Sequence, residues 1–283
     1  MSQIDEVLSR VLKNPNQQGL DLSAFDLNKI SLNGAQFPDA TLNQTQLERS
    51  KLIQIDFTNA VMKNASFKNA RLKKVSFDGA DLSEANFENA HLLECSFKKA
   101  NLDNCHLASA QILKSDFKGC NFSHANLHAV KISDSDLSFA NFLYAFMKQV
   151  KLDNVQMIGV NARGCDLSSA ELKNVSLAGG SLKYANINSS TLKQVDLGHA
   201  NLLGAHLKDS LFQKVILQEA NLEGADLTYA VLEGANLKNA FLLEANLHGA
   251  NLTKANLKGA FLVDANIEKT ITKKANLEGV VFS

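Results

Sequence analysis

Large apolar side chains return at every fifth position of this chain. From Leu22 to Phe282 there are 53 such positions, and all but Ala162 and Thr272 hold Leu, Phe, Ile or Met. A second restricted site stands two residues before each. It begins as Leu20, Phe25 and Ile30, and from Ala35 onward it is Ala, Ser, Cys, Val, Thr or Gly, with Ile55 as the exception. Each unit therefore hides one large and one small side chain and exposes three, as in Ala235-Asn236-Leu237-Lys238-Asn239. An amphipathic helix would space its apolar residues by three and four, and a half-buried strand would alternate by two. A period of five instead predicts a short extended piece closed by a turn, repeated and stacked into a solenoid whose backbone hydrogen bonds run between successive coils.

The coil length is legible too. Phe37, Phe57, Phe77, Phe97 and Phe117 are spaced by twenty, while most units between them carry Leu or Met. Charge sorts on the same period: the units centred on Leu32, Leu52, Leu72 and their successors hold 13 of the 27 basic residues in the repeat region. Four units thus close one coil, each unit making one side of it.

With that frame, stretches such as Ala220-Asn221-Leu222-Glu223-Gly224-Ala225-Asp226-Leu227 show the chain to resemble the pentapeptide-repeat proteins, whose pattern is Ala-(Asp/Asn)-Leu-x-x. The resemblance covers roughly residues 20 to 283. It implies an all-β fold, a right-handed quadrilateral parallel β-helix, with the large residue at the centre of each face and the small one beside it. About 13 coils at the ~4.8 Å strand spacing would make a rod of roughly 60 Å.

Two regions follow: residues 1–19, a capping helix and linker, and residues 20–283, the β-helix. Ile4, Val7, Leu8, Val11 and Leu12 follow helical spacing, Ser2 is the expected N-cap and Pro15 the stop, so a helix is predicted over residues 3–13. It is expected to fold over Leu20 and Phe25. A membrane-surface helix is the other reading, but only Arg10 and Lys13 are basic. At the other end repeat character persists to Gly279-Val280-Val281-Phe282, leaving an apolar coil uncovered. That coil predicts an end-to-end homodimer, as the resemblance also implies.

The cysteines Cys95, Cys105, Cys120 and Cys165 all fall on the small inward position, which makes them core residues of a reducing compartment. His124 and His128 would have metal-ligand spacing only on a helix. Neither a nucleophile elbow nor a phosphate-binding glycine loop occurs, and a filled coil offers an enzyme no pocket. No catalytic residue, metal or cofactor is expected. With 29 basic and 29 acidic residues, no leader-like segment and no membrane-length apolar run, the expectation is a cytoplasmic protein, or one delivered by a route that needs no signal peptide.

Two surface features remain as candidate sites. The face of Leu32 and Leu52 carries Lys51, Arg71, Lys73, Lys74, Lys114, Lys131, Lys151, Lys173, Lys193, Lys214, Lys254, Lys273 and Lys274 against five acidic residues, net +8. The face of Leu22 and Leu42 is net −4, and on it Phe241, Leu243, Phe261, Val263, Val281 and Phe282 form an apolar group where polar residues are usual. The basic strip reads either as solubilising charge or as a surface for an acidic protein, nucleic acid or anionic lipid. Few aromatic residues interleave with it, so nucleic-acid binding is not favoured, nor is membrane insertion. The apolar group predicts contact with another protein. The leading function is a non-enzymatic interaction, scaffold or adaptor protein, with a bacterial effector or secretion-associated role within that class. The alternative, implied by the resemblance, is a DNA mimic that binds DNA gyrase and protects it from quinolones. Mimicry requires a strongly acidic surface, which this composition lacks.

Overall fold

The computed structural model describes residues 2–282 and forms two compact units, residues 1–141 and 142–283. In the first, helix α1 (Gln3–Lys13) precedes strands β1 (Ser31–Asn33), β2 (Lys51–Ile53), β3 (Arg71–Lys73), β4 (His91–Leu93), β5 (Gln111–Leu113) and β6 (Lys131–Asp136). The second holds β7 (Lys151–Gln156), β8 (Glu171–Ser176), β9 (Thr191–Lys193) and β10 (Leu211–Gln213). Pairing is parallel with a register of twenty residues: Leu32 opposes Leu52, Leu52 opposes Leu72, and in the second unit Leu152 opposes Leu172. This is a parallel β-solenoid with one short N-terminal helix.

All ten strands among the described residues begin on the face of Leu32 and Leu52, and β6, β7 and β8 continue past its corner onto the next face; elsewhere the faces pair through isolated bridges such as Asp81↔Asn101 and Ser76↔Ser96. The difference arises at the corners. On the bridge faces the turn is closed by its own hydrogen bond, as in Ala80 N to Phe77 O at 3.0 Å. On the strand face the corner residue is often larger or polar (Ile55, Val75, Cys95, Ser115) and the strand residues lead into it without that bond. Beyond β10 the corner residue becomes Ala235, the turn closes (Ala235 N to Leu232 O, 3.0 Å) and the face continues as bridges. Named strands therefore span about nine turns among the described residues, fewer than the 13 coils expected from dividing the repeat by twenty.

Every third outward residue, from Gly19 to Gly279, adopts a positive φ of +50° to +73°. Forty of these residues are not glycine. Left-handed backbone costs an L-residue about 1–2 kcal/mol, so the repeat must compensate at each corner. It does so through the coil ladder, into which the left-handed residue itself donates: Asn59 N to Asp78 O at 2.8 Å, Gly79 N to Lys98 O at 2.8 Å.

The Asn/Asp preference before the large residue has an equally local cause. Asn121 accepts the Ser123 N–H on Oδ1 at 3.2 Å, and its Nδ2 donates to Asn101 Oδ1 at 3.0 Å, one coil back. Asn101 repeats the arrangement onto Asp81, which can only accept and so starts the ladder. One side chain thereby satisfies its own turn and links two coils.

Inside the first unit the phenylalanines form two facing columns. Phe37, Phe57, Phe77, Phe97 and Phe117 stack at centroid distances of 4.5–5.5 Å, as the twenty-residue spacing predicts. Phe67 and Phe87 stack opposite them at 4.7 Å and meet Phe77 edge-on. Helix α1 has the expected bounds, with Ser2 and Asp5 in a reciprocal capping box. Gln3 Oε1 accepts the Asp26 N–H at 2.7 Å and ties the helix to the first coil. Its packing face is narrower than expected: Val7 is buried, whereas Leu12, placed on the apolar face by spacing, is 85% exposed. Leu20 and Phe25 are half-buried, and Leu22 and Leu27 are the first fully buried large residues.

Candidate functional surfaces

The basic strip coincides with the strand-bearing face, and its two portions differ in how charge is compensated. In the second unit, Lys151 pairs with Glu171 at 2.7 Å, Lys173 with Asp153 at 2.8 Å and Lys254 with Glu233 at 3.0 Å. Lys193, Lys214, Lys273 and Lys274 stand without an ion pair among the described residues. In the first unit only Lys74 of the strip is paired, with Glu94 at 3.7 Å; Lys51, Arg71, Lys73, Lys114 and Lys131 are not, among the described residues. Beside these cations the surface is concave. One groove of about 400 Å³ is lined by Lys51, Ile53, Arg71, Lys73, His91 and Leu93, and a second of similar size continues it from His91 and Leu93 to Gln111, Leu113 and Lys131. Sequence reasoning found the lysines but not the groove, because Ile53, Leu93 and Leu113 look like unrelated departures from the polar pattern until strand pairing aligns them.

The second candidate surface lies in the second unit. Phe241 and Phe261 occupy the column that holds Asn201 and Asn221 in the preceding coils, and their rings stack at 5.3 Å with planes 5° apart. Phe241 is 42% and Phe261 36% exposed, Val281 bridges to Phe261, and Leu243 and Val263 flank them half-buried. Phe241 and Leu243 also close one side of a groove shared with His199, Glu219, Asn221 and Glu223. At the last described coil Ile267, Leu277 and Phe282 are 42–49% exposed and line an apolar hollow together with Leu252, Leu257 and Leu262.

The four cysteines are buried and unbridged. Burial pushes the Cys95 thiol up to about 11 and Cys165 to about 12, and holds Cys105 and Cys120 far above the ordinary range. These are packing residues rather than nucleophiles. His124 Nδ1 stands 3.3 Å from Asp103 Oδ1, and no group of three or more His, Cys, Asp or Glu able to hold a metal occurs among the described residues. No helix among them is long and apolar enough to cross a membrane.

The pattern described as "Pentapeptide repeat region" matches residues 12–87 and 70–132, and "Pentapeptide repeats (8 copies)" matches five overlapping segments between residues 120 and 262. The chain belongs to the pentapeptide-repeat family. Members of this family have protein-interaction roles, and the pentapeptide-repeat β-solenoid is typically non-catalytic. Among solved structures the chain is similar to HetL, a pentapeptide repeat protein involved in heterocyst differentiation regulation in the cyanobacterium Nostoc, at 24% identity over 100% of this chain and 97% of that one, TM-score 0.24. It is also similar to a pentapeptide repeat protein of the Arabidopsis thaliana thylakoid lumen (33% identity, 36% and 68% covered, TM-score 0.31). A third is QnrB1, a plasmid-mediated fluoroquinolone resistance protein (18% identity, 65% and 88% covered, TM-score 0.38). No curated protein sequence matches. For this pentapeptide-repeat chain, then, the likenesses identify the family and its coil, and the surface residues alone speak to the partner.

Proposed function

We propose that the chain is a non-catalytic protein-binding module that engages a protein partner through the Phe241–Phe261–Val281 column. The observation that carries this reading is the replacement of the asparagine ladder by two stacked, part-exposed phenylalanine rings. An Asn at that position satisfies its own turn and the coil before it, as Asn121 does. Phenylalanine gives up both bonds and leaves apolar area in water, a loss that contact with another protein offsets. Leu243 and Val263 widen the patch, and the hollow at Ile267, Leu277 and Phe282 continues the exposed apolar surface of the last coils. A second copy of the chain is the partner proposed for that hollow, since identical apolar surfaces are self-complementary under two-fold symmetry.

The test is Phe241→Asn with Phe261→Asn, which restores the repeat's own ladder residue and so preserves the coil. Light scattering of the full chain across micromolar concentrations, and affinity capture from the cells that make it, are compared between the two forms. A patch that binds protein loses its captured partner in the variant; equal capture by both forms would overturn the reading. A monomer at all concentrations overturns the homodimer. Gyrase supercoiling with and without quinolone tests the DNA-mimic alternative, which the net charge of zero and the +8 face do not favour.

A further inference from the structure

We propose that the strand face of the first unit is a separate docking groove for an acidic amphipathic α-helix of a partner protein. Three features of the groove select that occupant.

Its cations are uncompensated. Lys51, Arg71 and Lys73 have no ion-pair partner among the described residues, whereas equivalent cations of the second unit, Lys151 and Lys173, are neutralised by Glu171 and Asp153 one coil away. The same coil could place a carboxylate beside Lys51 or Arg71, and places instead cation next to cation: Lys51 opposes Arg71, and the next residue of the column is the imidazole of His91 rather than a carboxylate. Like charges stacked at the strand spacing repel, and an anionic ligand relieves that repulsion.

Its floor is aliphatic. In the parallel column Ile53 opposes Lys73, and Lys73 opposes Leu93, so cations and aliphatic side chains share one concavity. Ile53 and Leu93 are half-buried beneath the exposed Lys51, Arg71 and His91. A phosphate chain gains nothing from such a floor, no phenylalanine, tyrosine or tryptophan lines the groove as a platform for successive bases, and recessed side chains cannot reach into a bilayer. A ligand that protrudes into the groove with apolar and acidic groups side by side uses both.

Its spacing suits a helix. The cations repeat at about 4.8 Å per coil. Carboxylates on one face of an α-helix repeat on average every ~5.4 Å along its axis, while those on one face of an extended chain repeat every ~6.7 Å. Over two coil steps the helix drifts from register by about 1 Å and the strand by about 4 Å. Only the first is absorbed by the reach of lysine and arginine.

The experiment uses the full chain and a fluorescent ~18-residue peptide, long enough to be helical in isolation. It carries Glu at alternating spacings of four and three on one face and Leu beside them, and is read by anisotropy at fixed ionic strength. The expected result is saturable binding that weakens about tenfold or more in Arg71→Gln/Lys73→Gln, the order of one lost charge-assisted contact. Binding also weakens in Ile53→Ser/Leu93→Ser and is unchanged in Lys193→Gln/Lys214→Gln, which removes two cations of the second unit that lie outside the groove. Circular dichroism confirms that each variant keeps its coil. Absence of saturable binding overturns the proposal. So does equal binding of a Leu-to-Ser peptide of the same charge, or tighter binding of duplex DNA or phosphatidylserine vesicles through the same residues. Loss of the Phe241 and Phe261 patch leaves this result untouched, so the two surfaces fail or stand separately.

Discussion

The ring of Tyr184 lies against Gly204, one coil on, so closely that a Cβ at Gly204 would stand 2.7 Å from two of its ring carbons. The protein's three tyrosines all sit this way: Tyr144 over Gly164, Tyr184 over Gly204, Tyr229 over Gly249. Each tyrosine and each glycine is at the left-handed corner position. The exposed tyrosines thus cover the backbone of the next corner, and Arg163 adds a cation over the Tyr184 ring at 5.8 Å. Although Tyr144 and Tyr184 border the same face as Phe241, this packing gives them a structural task of their own.

Gly204→Ala meets both a left-handed φ of +61° and the Tyr184 ring. The expected loss is about 2–3 kcal/mol, from the backbone penalty and the displaced ring together. In a Tyr184→Ala background the same substitution should cost only the backbone part, about 1–2 kcal/mol. Urea denaturation of the four proteins measures the coupling, and additive losses would show that the ring does not depend on the missing Cβ.

Two inward serines should respond oppositely to alanine. Ser115 Oγ accepts the Cys95 N–H at 3.1 Å and donates to Leu113 O at 3.0 Å, supplying the corner bond that the open turn omits. Ser50 Oγ is buried with no hydrogen-bond partner among the described residues. Ser115→Ala should therefore destabilise by about 1–3 kcal/mol, by stranding a buried N–H. Ser50→Ala should be neutral or stabilising by up to about 1 kcal/mol, since it removes a desolvated hydroxyl and installs the repeat's commonest residue. Thermal melts of the two variants check the sign.

Alkali should weaken the fold through its thiols. An unfolded cysteine titrates near 8.5, while Cys95 and Cys165 hold their protons to about 11 and 12. Below about pH 8.5 both states are protonated and the thiols are neutral toward stability. Above it the unfolded chain releases protons that the native chain keeps, so stability falls by about 1.4 kcal/mol per pH unit for each buried thiol. Cys165→Ala should flatten the pH 8–10 dependence of the urea midpoint by about that slope, and an unchanged slope would contradict the burial argument.

The five-residue spacing alone determined the inward set, the four-unit coil and the phenylalanine column, because a solenoid maps sequence spacing directly onto neighbouring coils and leaves tertiary contacts little to choose. It also located the lysine strip, the Phe241 column and the extent of the α1 helix. The corners were less legible. Thirteen of the fifteen glycines fall on the left-handed position, a usable signal, yet forty other residues share that conformation, which no propensity would assign to Lys, Glu or Tyr. Leu12 shows the limit from another side, since helical spacing lists the residues of one face but not how much of that face finds a surface to cover. Tertiary structure alone decided which corners open into strand, which cations are neutralised and that Ile53 and Leu93 share a groove with Arg71. Those outcomes depend on side-chain reach and backbone hydrogen bonds between coils, where a carboxylate one coil away either meets a lysine or does not.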